Sequence, residues 1–144
     1  NKFDNEHGFA NSRARLRMTT LYQVAAANKG IVVGTGNKVE DFGVGFYTKY
    51  GDGGVDISPI ADCNKTEVWE LGKELGILKE IIDAPPTDGL WDDGRTDEGQ
   101  LGLSYKELEE AMDNENSVNR DKYNSIRSAN LHKMEPIPVC KIPN

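Results

Sequence analysis

Most of the chain's fifteen glycines fall between Gly30 and Gly54, and that crowding limits what the chain can become. A stretch so rich in glycine is made of tight turns and close backbone approaches, because only glycine reaches such conformations without steric cost. What flanks it gives it a place in a fold. Just before it, residues 11–28 read as a helix, with Asn11 as cap and Gly30 as stop. Ala14, Met18, Leu21, Tyr22 and Ala25 recur at spacings of three and four, so they are expected to form its buried stripe. Then Ile31, Val32 and Val33 make a short apolar run between Gly30 and Gly34, the pattern of a strand buried in a parallel sheet. Helix, strand and glycine-rich loop in that order predict an α/β architecture.

The rest of the chain is read by the same signals. Residues 42–50 have no clear period, and Gly51-Asp52-Gly53-Gly54 reads as a turn with positive φ values. Asn64 to Gly76 reads as a second helix, with Asn64 and Glu67 as a capping box and Val68, Leu71 and Leu75 as its stripe. A short apolar segment, Ile77 to Ile82, follows. Residues 84–100 read as a long loop, either a lid or a mobile segment, with the mobile reading favoured. Residues 104–113 form a helix capped by Ser104, with Glu107 three residues on, and residues 117–131 a last, polar helix. The tail, Met134 to Asn144, holds three prolines and is expected to be extended. The opening, from Asn1, is polar, carries no initiator methionine, and reads like the middle of a longer protein.

Composition narrows the function. A net charge of −7 argues against general nucleic-acid binding, which needs clustered cations to neutralise phosphates. No apolar run approaches the ~20 residues that span a bilayer, and no signal peptide is visible. Cys63 and Cys140 match no metal spacing and read as free thiols in a reducing compartment. Cytoplasm is the expected location.

Several polar residues stand where chemistry could use them. Arg13 and Arg17 share a helix face and read as a solvated basic surface. Arg15 borders the apolar stripe, where a charge should have a partner and a guanidinium suits phosphate or carboxylate, with a solvated position equally open. In GTGNKVE, the loop leaving the strand, turn amides and Thr35 suit an anion, while Glu40 could serve Mg²⁺ or merely open a helical turn. TKYGDGGVD sets Lys49, Asp52 and Asp56 around three glycines, either a ligand loop or a hairpin-like turn. Lys65 opens the second helix, where a cation opposes the helix dipole and a nearby anion would relieve it. His132-Lys133 lies at a helix end that favours cations. No Ser/His/Asp arrangement and no histidine cluster is present.

The strings ANSRARLRM, GTGNKVEDFGVGFYTKYGDGGVDISPIADCNKTEVWELGKELGI, WDDGRTDEGQLGLSY and HKMEPIP resemble the NAD synthetase family in order and spacing, from about residue 10 to 140. The resemblance implies an ammonia-type enzyme, with residues 1–144 as the C-terminal part of the synthetase domain. It implies a Rossmann-like parallel sheet of the adenine nucleotide alpha-hydrolase, or ATP-pyrophosphatase, type. Deamido-NAD would be adenylated by ATP with Mg²⁺, and ammonia would then displace AMP. By motif, Thr35, Lys65 and Thr87 would contact ATP. Arg15, Lys49, Asp56, His132 and Lys133 would contact deamido-NAD. Glu40 would hold Mg²⁺. Counting back from TKYGDG would instead select Asp41, because one extra residue separates the two motifs here; NKVE carries the motif and selects Glu40. Lys65 and Asp52 are the candidate catalytic residues, Asp52 by holding ammonium. The family also implies a homodimer, to which the apolar first helix could contribute.

The family's SGGxDS phosphate loop is absent from these residues, so the chain as given is expected to be inactive alone. Two other readings stay open: a different synthetase of the ATP-pyrophosphatase group, and a non-catalytic nucleotide-binding or dimerisation module. The synthetase reading requires Arg15, Lys49 and Lys65 to share one hollow.

Overall fold

The computed structural model describes residues 2–143; Asn1 and Asn144 lie outside the described residues. The first helix, α1, runs from Glu6 to Ala27, starting five residues before the expected point. Its cap is Asn5, whose side chain accepts from Gly8 N at 2.7 Å. Asn11 lies inside the helix, and its Oδ1 accepts from the Thr48 hydroxyl at 2.8 Å. At the other end Lys29, not Gly30, takes the left-handed conformation (φ 54°). Ala10 and Ala14 are buried, Met18, Tyr22 and Ala25 are half-buried, and Leu21 is 56% exposed. The expected stripe therefore loses Leu21 and gains Ala10.

The predicted buried strand is the main departure. Val33 forms an isolated parallel bridge with Ile57, supported by Gly34 N to Ile57 O at 2.7 Å and Asp56 N to Val32 O at 2.9 Å. Val32 is buried, but Ile31 and Val33 are half exposed. No further strand among the described residues covers either face, so the parallel sheet is represented by this one bridge. A continuous apolar run reports the need for burial on both faces and says nothing of which segment supplies it.

The loop expected over 34–40 turns helical early. Lys38–Val44 is a π-helical turn capped by Asn37, whose Oδ1 accepts from Val39 N at 3.0 Å and Glu40 N at 3.1 Å. Such π turns are rare and fall frequently at functional sites. Further on, positive φ falls on Tyr50 (64°) and not on the three glycines of GDGG. Gly51 is needed for room instead: a Cβ there would stand 2.9 Å from that of Ala14.

Helix α2 spans Lys65–Glu74, and Glu67 Oε2 accepts from Asn64 N at 2.7 Å, one arm of the expected box. Its stripe is not buried: Leu71 is 46% and Leu75 77% exposed. The expected apolar segment is in part a short helix, α3, Lys79–Ile82. The long loop ends in α4, Asp97–Leu101, capped by Thr96. Helix α5, Tyr105–Asp113, has the Ser104–Glu107 box as expected, and α6 spans Arg120–Met134. Both cysteines are free.

The core lies where the π turn, α5 and α6 meet. Val39, Val44, Leu101, Leu103, Tyr105, Leu108, Ala111 and Tyr123 are buried together, with Phe46, Trp69, Met112 and Ile126 packed against them. Full burial of a side chain such as Leu108 contributes roughly 2 kcal/mol. This packing anchors the back of the π turn and so holds Glu40 in place.

Candidate functional site

A cavity of about 460 Å³ opens between α1, the strand bridge, the π turn, the start of α2 and residues 86–97. Five of the residues expected to bind ligand or act in catalysis line it: Thr35, Glu40, Asp52, Lys65 and Thr87. The central contact is an ion pair, Lys65 Nζ to Glu40 Oε1 at 3.0 Å, with both side chains largely buried (19% and 14% exposed). Lys65 at the helix start is thus compensated by a side chain of the chain itself. The ammonium also lies 4.9 Å from the centre of the Tyr105 ring.

Beneath the pair lies a polar network that the sequence reading missed. The hydroxyl of Tyr105, a fully buried residue, bonds to Glu40 Oε1 and, at 3.1 Å, to Asp97 Oδ2. Burial and the carboxylates of Glu40 and Asp97 push the Tyr105 pKa far upward, so the hydroxyl keeps its proton. Asp97 lines the cavity and is 7% exposed, and its Oδ1 is buried with no partner. Burial raises its pKa, against the lowering effect of the Tyr105 bond. The signal for Asp97 was its place one residue after the Thr96 cap; nothing in the spacing marked Tyr105.

The competing carboxylate, Asp41, does not line the cavity. It packs on Gly36, where a Cβ would come 2.1 Å from Asp41 Oδ2. Burial first, then repulsion from Glu40 and Asp52, raise its pKa to about 6. Asp52 accepts from Thr48 N at 2.9 Å; burial raises its pKa, while that bond and Lys133 oppose the rise. Thr87 Oγ1 donates to Arg95 O at 3.1 Å.

Arg13 and Arg17 are exposed, as a solvated basic face would be, and both also bond a neighbouring loop. Arg17 lines the cavity and donates to Asp88 O (3.2 Å) and Gly89 O (2.7 Å), and Arg13 donates to Leu90 O at 2.7 Å. Two guanidiniums of α1 therefore grip the loop over 88–90, which also uses Asp88 to accept from Trp91 Nε1 and Gln100 Nε2.

Arg15, Lys49, Asp56, His132 and Lys133 are not among the cavity's lining residues. Arg15 Nε and NH2 each lie 3.3 Å from Lys49 O, and Lys49 Nζ donates to His132 O at 2.6 Å. Lys133 Nζ donates to Gly45 O and Tyr47 O, at 2.8 and 2.7 Å. Its burial lowers its pKa, against the pull of Asp52. Asp56 accepts from Val32 N at 2.7 Å and from the Tyr22 hydroxyl at 3.3 Å, so its carboxylate secures the strand bridge. The expected single hollow for Arg15, Lys49 and Lys65 is thus not found: Lys65 faces the cavity, and the other two hold main-chain carbonyls beside it. Arg15 follows Ala14, a lining residue, by ~100° around the helix, which turns it away.

The family model for NAD synthase matches residues 2–140. The chain belongs to the NAD synthase family. It is 50% identical over 135 residues to an NH(3)-dependent NAD(+) synthetase of Alkaliphilus oremlandii, covering 92% of this chain and 53% of that protein. A namesake from Methanosarcina acetivorans is 51% identical over 102 residues, 71% of this chain and 39% of that one. The chain spans about half the length of the curated relatives it matches. Among solved structures, an NMN synthetase from Francisella tularensis matches with a TM-score of 0.86 at 36% identity, covering 99% of this chain and 59% of that one. An NH3-dependent NAD synthetase from Campylobacter jejuni, in complex with the nitrate ion, matches at 0.65 and 25%, covering 91% and 54%. The chain thus shares the course of these structures over nearly its whole length, although among the described residues only the Val33–Ile57 bridge is formed.

Proposed function

We propose that the complete protein containing this chain amidates deamido-NAD, using ATP to form an adenylate that ammonia attacks. The hollow shared by Arg15, Lys49 and Lys65 that the sequence called for is not formed in this half, so the reading rests on the family match over residues 2–140 and on the buried Glu40–Lys65 pair, on the wall of a cavity that also presents Thr35, Asp52 and Thr87. The cavity takes the ATP phosphates, with Lys65 as the cation offsetting charge that develops on the phosphoryl oxygens. Thr35 and Thr87 supply hydroxyls beside it. Asp52 holds ammonium near the adenylate, and no covalent bond to the protein is required. Arg15, Lys49 and Lys133 meet deamido-NAD on the adjoining surface by exchanging main-chain carbonyls for the ligand's phosphates, and His132, whose own carbonyl Lys49 holds, stands beside them. Asp56 supports that surface through the strand bridge.

Glu40 suits Mg²⁺ in one specific way. Its hydrogen bonds all fall on Oε1, and among the described residues no group of three acid, histidine or cysteine ligands is assembled. Such a site takes magnesium together with phosphate oxygens, which is how the ion usually binds. Bound there, the ion supplies charge neutralisation on the phosphoryl group. The Val33–Ile57 bridge is one rung of a Rossmann-like sheet of the ATP-pyrophosphatase type, completed by the remaining half of the family's length, which also brings the SGGxDS loop. Leu16, Leu21 and Val24, exposed on α1, join the interface of a homodimer. No described helix is long and apolar enough to cross a membrane, and the enzyme works in the cytoplasm.

The stronger match to an NMN synthetase favours a second reading, in which the deamidated mononucleotide is the substrate. One assay tests both: the complete protein with ATP, Mg²⁺, ammonia and either nucleotide, read by chromatography of the amide and AMP. Amide from deamido-NAD supports the first reading, and amide from the mononucleotide alone supports the second. Binding with no AMP released from either would mark a binding module.

A further inference from the structure

We infer that Tyr105 is a positioning residue: it touches both Glu40 and Lys65 and holds them in the arrangement that leaves a Glu40 oxygen turned to the cavity. The inference rests on the reading of that cavity as the ATP site and goes beyond it by assigning a residue outside the cavity wall.

Packing alone explains the ring and leaves the hydroxyl unexplained. Tyr105 is fully buried at the first position of α5, its ring set edge-on against Trp69 (centroids 5.9 Å apart, 83° between planes). Phenylalanine would fill the same space without carrying a polar atom into the core, where such an atom is costly unless bonded. Here the hydroxyl lies against carboxylates from two elements: its one proton faces Glu40 from the π turn, with Asp97 Oδ2 from α4 at 3.1 Å beside it. The ring face meanwhile receives the Lys65 ammonium from α2. Three elements converge on one side chain carried by α5, and the contacts with Glu40 and Lys65 act on the pair that faces the cavity.

The consequence for Glu40 is specific. Tyr105 and Lys65 share Oε1, so Oε2 stays available. Without the hydroxyl, the carboxylate is free to rotate onto Lys65 with both oxygens. The ammonium would then be quenched and the metal-facing oxygen lost, which weakens magnesium and phosphate together while leaving the surface around Arg15 and Lys49 untouched.

The test compares Tyr105→Phe with wild type in the complete protein, using calorimetric titration with Mg²⁺ and a non-hydrolysable ATP analogue. Loss of a hydrogen bond to a charged group predicts about tenfold weaker binding, a matching rise in half-saturating Mg²⁺, and an unchanged KM for the deamidated nucleotide. Leu108→Ala, which opens the same core without touching the pair, serves as control: it should lower the melting temperature more and leave binding unchanged. Wild-type affinity in Tyr105→Phe, or an equal loss in Leu108→Ala, would overturn the inference. Turnover by wild type alongside normal binding by Tyr105→Phe would remove Tyr105 and leave the proposed function standing. Absence of both binding and amidation in wild type would remove the proposed function itself.

Discussion

Lys65 on the cavity wall and the neighbouring strip of Arg15, Lys49 and Lys133 are held in opposite ways. On the cavity wall, Lys65 is held by a side chain, Glu40, which is itself held by Tyr105. On the strip beside it, Arg15, Lys49 and Lys133 all point at main-chain carbonyls. A charge paired with a buried carboxylate is fixed before any ligand arrives, and breaking the pair strands its partner. A charge resting on a carbonyl is a staple between segments, and a ligand can take it over. The difference teaches that polar residues near glycines divide into prepared chemistry and chain closure, a division that residue type does not reveal.

The comparison breaks first at Lys65. Lys65→Ala in the complete protein should lower kcat at least about tenfold, because the charge it supplies acts on the reacting phosphoryl group. Lys49→Met should mainly raise KM for the deamidated nucleotide, with kcat within about threefold of wild type. Equal effects on kcat in steady-state assays would erase the distinction.

A smaller effect is expected where Asp41 meets Gly36. The contact a Cβ would make there means that Gly36→Ala must displace the carboxylate, costing about 1–3 kcal/mol in a denaturant titration. Wild-type stability would show that Asp41 is not fixed in this place.

The same carboxylate sharpens the comparison through pH. Its pKa is raised from 3.8 to about 6, so between those values the folded state binds more protons than the unfolded one. Stability must therefore fall as pH rises through that window. Measured against Asp41→Asn, wild type should lose stability from pH ~4 to ~6 and level off above; a flat difference contradicts the burial of Asp41. Smallest of all, Arg17→Met should speed hydrogen exchange of amides in the 88–92 loop, whereas Arg15→Met should not. Exchange that ignores both would show that Arg17 does not hold the loop.

Local signals were legible and distant ones were not. The Ser104–Glu107 box and Glu67 closing on Asn64 N follow from residue type and spacing, whereas Glu40 meeting Lys65, where an anionic ligand was expected, does not. Arg17 gripping Asp88 and Gly89, and Tyr105 joining Glu40 to Asp97, depend on contacts between segments far apart in sequence, which no periodicity encodes. The apolar periods of α1 and α2 were real, yet Leu21, Leu71 and Leu75 stand exposed, since a period gives a face and not what covers it. That residues 38–44 form a π turn with Glu40 on the cavity side is marked by no residue type in the stretch.

The central claim is that Glu40, fixed against Lys65, is the metal-facing carboxylate of a nucleotide site. A crystal of the complete protein grown with Mn²⁺ and an ATP analogue tests it through anomalous scattering. The account predicts a manganese peak within ~2.2 Å of a Glu40 oxygen, with Lys65 on a phosphate. A peak on Asp41, or a nucleotide bound with the cavity empty, would contradict it.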